Sequence, residues 1–225
     1  TQHESGSRGP QHSMASRVWE ETYERMLRDL VGHIESSPYA DRVIGYQLAG
    51  GKSSEWFWWG FDKGLIDFSP AAKARFREWL GDRYSGSVDK LRTAWRQPEV
   101  TFESAEPPPG TLRETTEYGL FRDAKVAQPA IDYVRFLSDM TSHNIIRSCR
   151  IVKEITAGRK IAGVLYGYML HFAHCRLLVS NEGMCGFEQV LNSPYVDFLS
   201  SPPQYERRRG GHEGLFQTGY FGSIR

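Results

Sequence analysis

The chain has 225 residues, with 28 Lys and Arg against 27 Asp and Glu, and 40% of its residues are hydrophobic. This hydrophobic content is enough for one globular core, and a charged fraction of 24% near balance excludes disorder of the whole chain. A net charge of +1 provides no broad basic surface, so we expect neither nucleic acid nor a membrane surface as a partner.

Cysteines and apolar runs bear on location and cofactors. No stretch approaches 18 consecutive apolar residues, so the sequence predicts no transmembrane helix. Cys149, Cys175 and Cys185 are too few for a disulfide framework and favour a reducing compartment such as the cytoplasm. His171 and His174 lie near Cys175, but the usual ligand spacing of a zinc site is missing. The sequence therefore predicts no metal and no cofactor.

The first elements in the chain are a loop, a helix and a strand. Residues 1–14 are rich in Gly, Ser, Gln and His without periodicity, and are predicted to be a disordered loop, a linker or a cloning remnant. The folded domain is then 15–225. Ser16 is predicted to cap a helix with apolar residues at helical spacing, and the run at 43–48 is predicted to be a buried strand.

The remaining elements continue an alternation of helix and strand. Helices are predicted after Ser69-Pro70, over 88–95, over 128–157 and over 176–191, and strands over 161–168 and 195–200. Such alternation is typical of parallel β/α units with helices outside the sheet. Three clear strands, with a weaker fourth near Tyr220, fall short of the eight in a closed barrel. We therefore predict an α/β fold that is a partial (β/α)8 TIM barrel.

An aromatic cluster follows the first strand. Trp56, Trp58 and Trp59 lie within four residues, and consecutive aromatics cannot all face one core from a regular element. Their flat faces would suit the apolar faces of sugar rings at a surface or cleft. A hydrophobic plug beneath a long loop, or a subunit interface, is the alternative interpretation.

Glu55 immediately precedes this cluster. A carboxyl group beside indole rings is desolvated, which raises its pKa towards the range in which it can donate a proton to a leaving oxygen. Glu55 is therefore the candidate general acid. The alternative is a surface glutamate paired with Lys52 or Arg83.

Several segments carry a family resemblance. The stretch RYSGSVDKLRTAW at 83–95, followed by Phe102, resembles a segment of family 42 β-galactosidases, which are retaining glycoside hydrolases of (β/α)8 fold. VIGYQL at 43–48 resembles their fourth strand. The Glu55-Trp56 pair and the Tyr166-Gly167-Tyr168 run agree with a β-galactosidase-like branch, and the similarity covers roughly residues 15–225.

The resemblance implies a place in the barrel for each strand. The three strands would be the fourth, fifth and sixth, with strands one to three before Thr1 and the nucleophilic glutamate beyond Arg225, so that the chain would be a fragment. Gly50-Gly51 stand where the family has an Asn-Glu pair containing the acid/base. Glu55 takes that role only if the loop is shifted by four residues.

Further polar residues fall at or beyond the predicted strand ends. Tyr166, Tyr168, Ser200 and Tyr205 would line a sugar site with hydroxyl groups in a complete barrel. For Tyr166 and Tyr168 the alternative is burial with the hydroxyl bonded to a neighbour.

These observations predict part of a retaining glycoside hydrolase, β-galactosidase-like, that cleaves a β-linked sugar with Glu55 as acid/base. Its expected partners are a carbohydrate substrate and either a second copy of the chain or the missing half of the barrel. The alternative is a non-catalytic carbohydrate-binding or protein-interaction module that keeps the aromatic residues but lacks paired carboxylates.

Overall fold

The computed structural model describes residues 1–9, 11–51, 54–58, 65–118, 121–167 and 182–200. Within these ranges the helices and strands alternate much as the sequence predicts. The helices are α1 (Arg17–Glu35), α2 (Pro70–Arg83), α3 (Val88–Trp95), α4 (Gly110–Glu114), α5 (Ala124–Ile155) and α6 (Phe187–Leu191), and the strands are β1 (Gly45–Leu48), β2 (Ile161–Leu165) and β3 (Phe198–Ser200). Short 3-10 turns cover Ala40–Arg42 and Met184–Gly186.

The three strands form one parallel sheet in the order β1-β2-β3. Leu48 pairs with Val164, and Val164 pairs with Leu199 on its other side. The predicted parallel arrangement is therefore confirmed, and the carboxyl ends of the strands lie at one edge of the sheet. That edge is where folds of this class place their chemistry.

Two of the predicted helix starts are confirmed by their caps. The Ser16 side chain accepts the Trp19 N–H at 3.3 Å at the start of α1. The Ser69 side chain accepts the Ala72 N–H at 3.3 Å, directly before Pro70 at the first position of α2. Each cap satisfies a backbone donor that the first helical turn leaves without a partner.

The longest helix begins earlier than predicted. α5 begins at Ala124, where Asp123 accepts the Lys125 N–H at 2.8 Å, and it is kinked at Ala127. Pro129 has no N–H to donate, so the helical ladder is interrupted there and the periodic pattern becomes regular only beyond it. Gly158, with φ +75°, follows the helix as predicted.

The inward face of α1 is narrower than its apolar pattern indicates. Leu27 and Val31 are buried, whereas Met26 and Leu30 are exposed by 53% and 52%. Glu20 occupies the same buried stripe, where Arg75 and Arg147 donate to its carboxylate at 3.1 and 3.4 Å. An ion pair shared with α2 and α5 therefore takes up part of the contact surface of α1.

Residues 1–14 are predicted to be a disordered loop, a linker or a cloning remnant; the described ones, 1–9 and 11–14, contain no helix or named strand but pack against the domain. The Gln2 carbonyl accepts the Phe68 N–H at 2.8 Å, and the Gln2 N–H donates to Asp67 at 2.9 Å. Met14 is fully buried, and its carbonyl accepts from the Asn144 side chain at 2.8 Å. The segment thus contacts both α5 and the stretch before α2.

The segment after β2 is described only in part. The predicted helix over 176–191 is observed from residue 182 as a 3-10 turn followed by α6, and the rest of it lies outside the described residues. No helix in the described ranges is long and apolar enough to cross a membrane.

Candidate active site at the carboxyl ends of the strands

Glu55 lies at the carboxyl end of the sheet, in line with β1. Leu48, the last residue of β1, pairs with Val164, and Glu55 forms a parallel bridge with the next residue of β2, Leu165. The Trp56 N–H donates to the Leu165 carbonyl at 3.1 Å. The chain therefore leaves the sheet after Leu48 and returns to the same ladder at Glu55.

The two glycines after β1 are required by this return. A Cβ atom at Gly50 would overlap the indole ring of Trp56, and one at Gly51 would lie 2.6 Å from the Glu55 carbonyl oxygen. The carbonyls of the loop are also held, because the Tyr23 hydroxyl donates to the Ala49 carbonyl at 2.6 Å. Side chains at positions 50 and 51 are therefore excluded, and Glu55 is the acidic residue that reaches the end of the strand.

The two tryptophans that the structure describes are core residues. Trp56 is fully buried, and its indole N–H donates to the Leu48 carbonyl at 2.9 Å. Trp58 is fully buried as well, and its N–H lies 3.0 Å from the Thr141 hydroxyl and 3.1 Å from the Leu137 carbonyl. Neither ring presents a face to solvent, so the structure favours the hydrophobic plug for both. Trp59 lies outside the described residues.

The polar residues predicted to line a sugar site fall into three groups. Tyr166 is fully buried, and its hydroxyl donates to the Gly183 carbonyl at 3.0 Å, as in the alternative interpretation. Ser200 is half-buried at the end of β3, and its hydroxyl donates to the Val164 carbonyl at 3.2 Å. Tyr168 and Tyr205 lie outside the described residues.

Glu182 is an acidic residue at this site that the sequence analysis did not identify. Glu182 is buried, with only 1% of the residue exposed. Its backbone carbonyl accepts the backbone N–H of Trp58 at 3.0 Å. Within the described residues its Oε2 atom makes no hydrogen bond. Burial, and then the negative charge of nearby Glu55, raise the pKa of Glu182 to about 9. This carboxyl group is therefore protonated at neutral pH.

One weak sequence signal marks Glu182. It follows Asn181 and precedes Gly183, so the chain does contain an Asn-Glu pair, but far from the end of any predicted strand. Only the fold brings this segment beside Trp58 and Tyr166. Local pattern alone could not place it at the sheet edge.

Asp197 has a structural role in the sheet. One of its carboxylate oxygens accepts the Ala162 N–H at 2.7 Å and lies 2.5 Å from the Lys153 ammonium. These contacts join the end of α5 to β2 and the approach to β3. They lie at the amino ends of the strands, opposite Glu55 in the sheet.

The arrangement at the carboxyl edge is suited to proton transfer. It combines an acid at a strand end with a second, neutral acid behind it. Carboxyl groups in such a setting can act as general acids and bases. The described residues contain no group of His, Cys, Asp and Glu that could hold a metal ion.

Solved structures with similar folds are glycoside hydrolases. The β-galactosidase from the psychrophilic Marinomonas ef1 is 20% identical, with a TM-score of 0.57 over 90% of this chain and 27% of that one. The β-galactosidase from Rahnella sp. R3 is also 20% identical, with a TM-score of 0.58 over 88% of this chain and 24% of that one. The catalytic domain of a β-amylase from Paenibacillus polymyxa is 16% identical, with a TM-score of 0.59 over 77% and 44%.

These similarities establish the fold as part of a TIM barrel, as predicted. The chain spans about a quarter of the length of the two β-galactosidases. No protein with a curated description matches the chain. The model of glycoside hydrolase family 42, described as β-galactosidase, matches residues 2–182, which is most of the chain. The chain therefore belongs to glycoside hydrolase family 42, the β-galactosidase family.

Proposed function

We propose that this chain supplies the general acid/base of a retaining, β-galactosidase-like glycoside hydrolase, and that Glu55 is that residue. The observation that carries the proposal is the return of Glu55 to the ladder beside Leu165, directly beyond the Leu48–Val164 pair. Catalytic residues of (β/α)8 enzymes lie at the carboxyl ends of the strands. Membership of family 42 supports an acid/base after this strand, and Glu55 supplies it only with the four-residue shift of the loop.

In the proposed reaction Glu55 first donates its proton to the leaving glycosidic oxygen while a second carboxylate attacks the anomeric carbon. Glu55, now a carboxylate, then takes a proton from the water that cleaves the glycosyl-enzyme intermediate. A retaining mechanism places the two carboxyl groups about 5 to 5.5 Å apart. We expect the nucleophile on a later strand of the barrel. A protonated Glu182 is too weakly nucleophilic for that role.

The burial of these residues supports keeping only some of the predicted sugar contacts in the proposal. Trp56, Trp58 and Tyr166 are buried and hold the backbone, so we assign them to the support of the site. Ser200, half-buried at the end of β3, remains our candidate for contact with the sugar. A binding module without catalysis would need exposed aromatic faces, which Trp56 and Trp58 do not offer.

A leaving-group series tests the proposal in the intact protein that contains this chain. Glu55→Gln keeps the shape of the side chain but has no acidic proton. We expect it to lower kcat/KM for alkyl β-galactosides by about 10² to 10⁴, since general acid catalysis contributes that much. Nitrophenyl β-galactosides, whose leaving groups need little protonation, should lose far less in the first step.

Glu21→Gln is the matched control, because Glu21 is an exposed acid on α1. It should leave both substrates unaffected. Equal losses on both classes of substrate in Glu55→Gln, or no loss on either, would remove Glu55 from the role of general acid.

A further inference from the structure

The segment that carries Glu182 is held tightly against the site. Tyr166 donates to the Gly183 carbonyl at 3.0 Å, and Trp58 donates its backbone N–H to the Glu182 carbonyl at 3.0 Å. Gly183 has φ +76°, and a Cβ atom there would lie 2.5 Å from the Thr141 hydroxyl oxygen and 2.7 Å from the Trp58 ring. Glu182 is therefore fixed between the strand ends and α5.

The described residues around the turn that carries Glu182 offer little that could stabilise a negative charge. The α5 residues that contact Trp58 and the turn at 183–186 are neutral, namely Leu137, Ser138, Thr141 and Ser142. The Cys185 thiol lies in the same turn, and burial raises its pKa. Among the described residues, Glu55 is the acid whose negative charge, once it has given up its proton, acts on the Glu182 carboxyl.

Ionising both Glu55 and Glu182 in these surroundings would cost a large amount of free energy. The buried group lacks solvation, and each negative charge opposes the other. Their protons then leave in two steps that belong to the pair. An Oε2 atom buried without a hydrogen bond to the described chain fits this state, since no described residue would compensate a charge there.

We propose that Glu55 and Glu182 form a coupled carboxyl pair that never carries two negative charges in the neutral pH range, with Glu182 as the buried neutral member. Its catalytic meaning rests on the function proposed for Glu55. When Glu55 gives its proton to the leaving oxygen, Glu182 keeps its own, so no like charge opposes the new carboxylate. Glu182 is thus a positioning residue that acts through Glu55.

Infrared titration of the intact protein tests the pair without measuring activity. The protonated carboxyl group has a C=O stretch that is separate from the carboxylate bands. At pH 7 the wild type should show this band, and Glu182→Gln should lack it. Glu188→Gln, which changes an exposed acid at the start of α6, should keep it.

A second titration tests the coupling between the two carboxyl groups. In Glu55→Gln the neighbouring charge is gone, so the pH at which the band disappears should fall by about one unit or more. A wild-type spectrum without the band at pH 7, or an unchanged midpoint in Glu55→Gln, would overturn the proposal. If the spectra behave as expected while Glu55→Gln keeps full activity, the pair stands and the general-acid role fails.

Discussion

At the scale of single residues, the site depends on the fit between Gly50 and Trp56. The indole ring occupies the space where any side chain at position 50 would be placed. This contact directs the chain back to the sheet at Glu55, because the ring is fixed by its hydrogen bond to Leu48. The position of Glu55 at the sheet edge therefore depends on the absence of a side chain at Gly50.

Gly50→Ala should therefore be costly. The added methyl group must displace a fully buried indole, and overpacking of this kind costs about 1–3 kcal/mol of unfolding free energy. Denaturant unfolding measures the change. Gly81→Ala is the control, since its Cβ would meet nothing within 4 Å in α2, and it should stabilise by about 0.5–1 kcal/mol. Equal effects of the two changes would contradict the packing described for Trp56.

Glu182 should make stability depend on pH. Its pKa is raised to about 9 in the folded chain and is near 4.3 in an unfolded one. Below both values the group is protonated in either state, so its burial carries no charge penalty. As the pH rises towards 9 the unfolded state alone loses the proton, and stability falls by about 1.4 kcal/mol per unit.

The difference between wild type and Glu182→Gln isolates this effect, because glutamine does not ionise. The variant should become the more stable of the two as the pH rises from 5 to 9, in thermal or denaturant unfolding. A difference that stays constant with pH would show that Glu182 is already charged at the lower end of the range.

The residue types around position 55 indicate the candidate acid, but they do not show which side chains surround it. Glu55 beside aromatic residues signals a desolvated carboxyl group, and that signal needs no knowledge of the fold. Whether Trp58 or Tyr166 faces solvent depends on α5 and on the segment at Gly183, which are distant in sequence. Contacts between residues so far apart in the chain produce no periodic pattern in the sequence. The sequence alone therefore could not show whether Trp58 and Tyr166 contact a sugar or lie in the core.

At the scale of elements, α5 supports the site through Trp58. The indole N–H meets Thr141 and Leu137 on the helix, and the Trp58 backbone meets Glu182. One residue thus connects the loop after β1, the long helix and the turn before α6. The relative placement of Glu55 and Glu182 depends on this connection.

Trp58→Phe should loosen that connection. Loss of the N–H removes a buried hydrogen bond and should lower the free energy of unfolding by about 1–3 kcal/mol. Hydrogen exchange at residues 182–186 should accelerate more than in α1 or α2. Trp19→Phe is the control, because the Trp19 indole N–H makes no hydrogen bond to the described residues. Uniform acceleration in both variants would argue against a specific clamp.

The helices were more predictable than the loops between them. Ser16 and Ser69 mark helix starts through local chemistry, which a sequence displays directly. The start of α5 was misplaced because Pro129 interrupts the pattern while Asp123 caps an earlier turn. The return of the chain to the sheet at Glu55 cannot be predicted from sequence alone, because the register of Glu55 is set by its pairing with β2.

At the scale of the whole molecule, the sheet has open edges within the residues that the structure describes. In the described part of the chain no strand pairs with the outer edge of β1 or of β3. Apolar side chains such as Ile44 and Met26 are also exposed, by 80% and 53%. In the similar β-galactosidases, this chain corresponds to about a quarter of the length.

If residues 1–225 are produced alone, we expect self-association. Unpaired strand edges and exposed apolar surface favour pairing with another chain. Size-exclusion chromatography with light scattering should detect dimers or larger species. A monodisperse monomer with cooperative unfolding would contradict this expectation.

The central claim is that Glu55 protonates the leaving oxygen, and a structure of the intact protein with bound substrate tests it most directly. Glu55→Gln should allow an uncleaved β-galactoside to be trapped in a crystal. We predict that the substituted side chain at position 55 lies within about 2.6–3.2 Å of the glycosidic oxygen, the reach of a proton donor. A sugar bound elsewhere, or another acid within that distance while residue 55 is remote, would contradict the assignment.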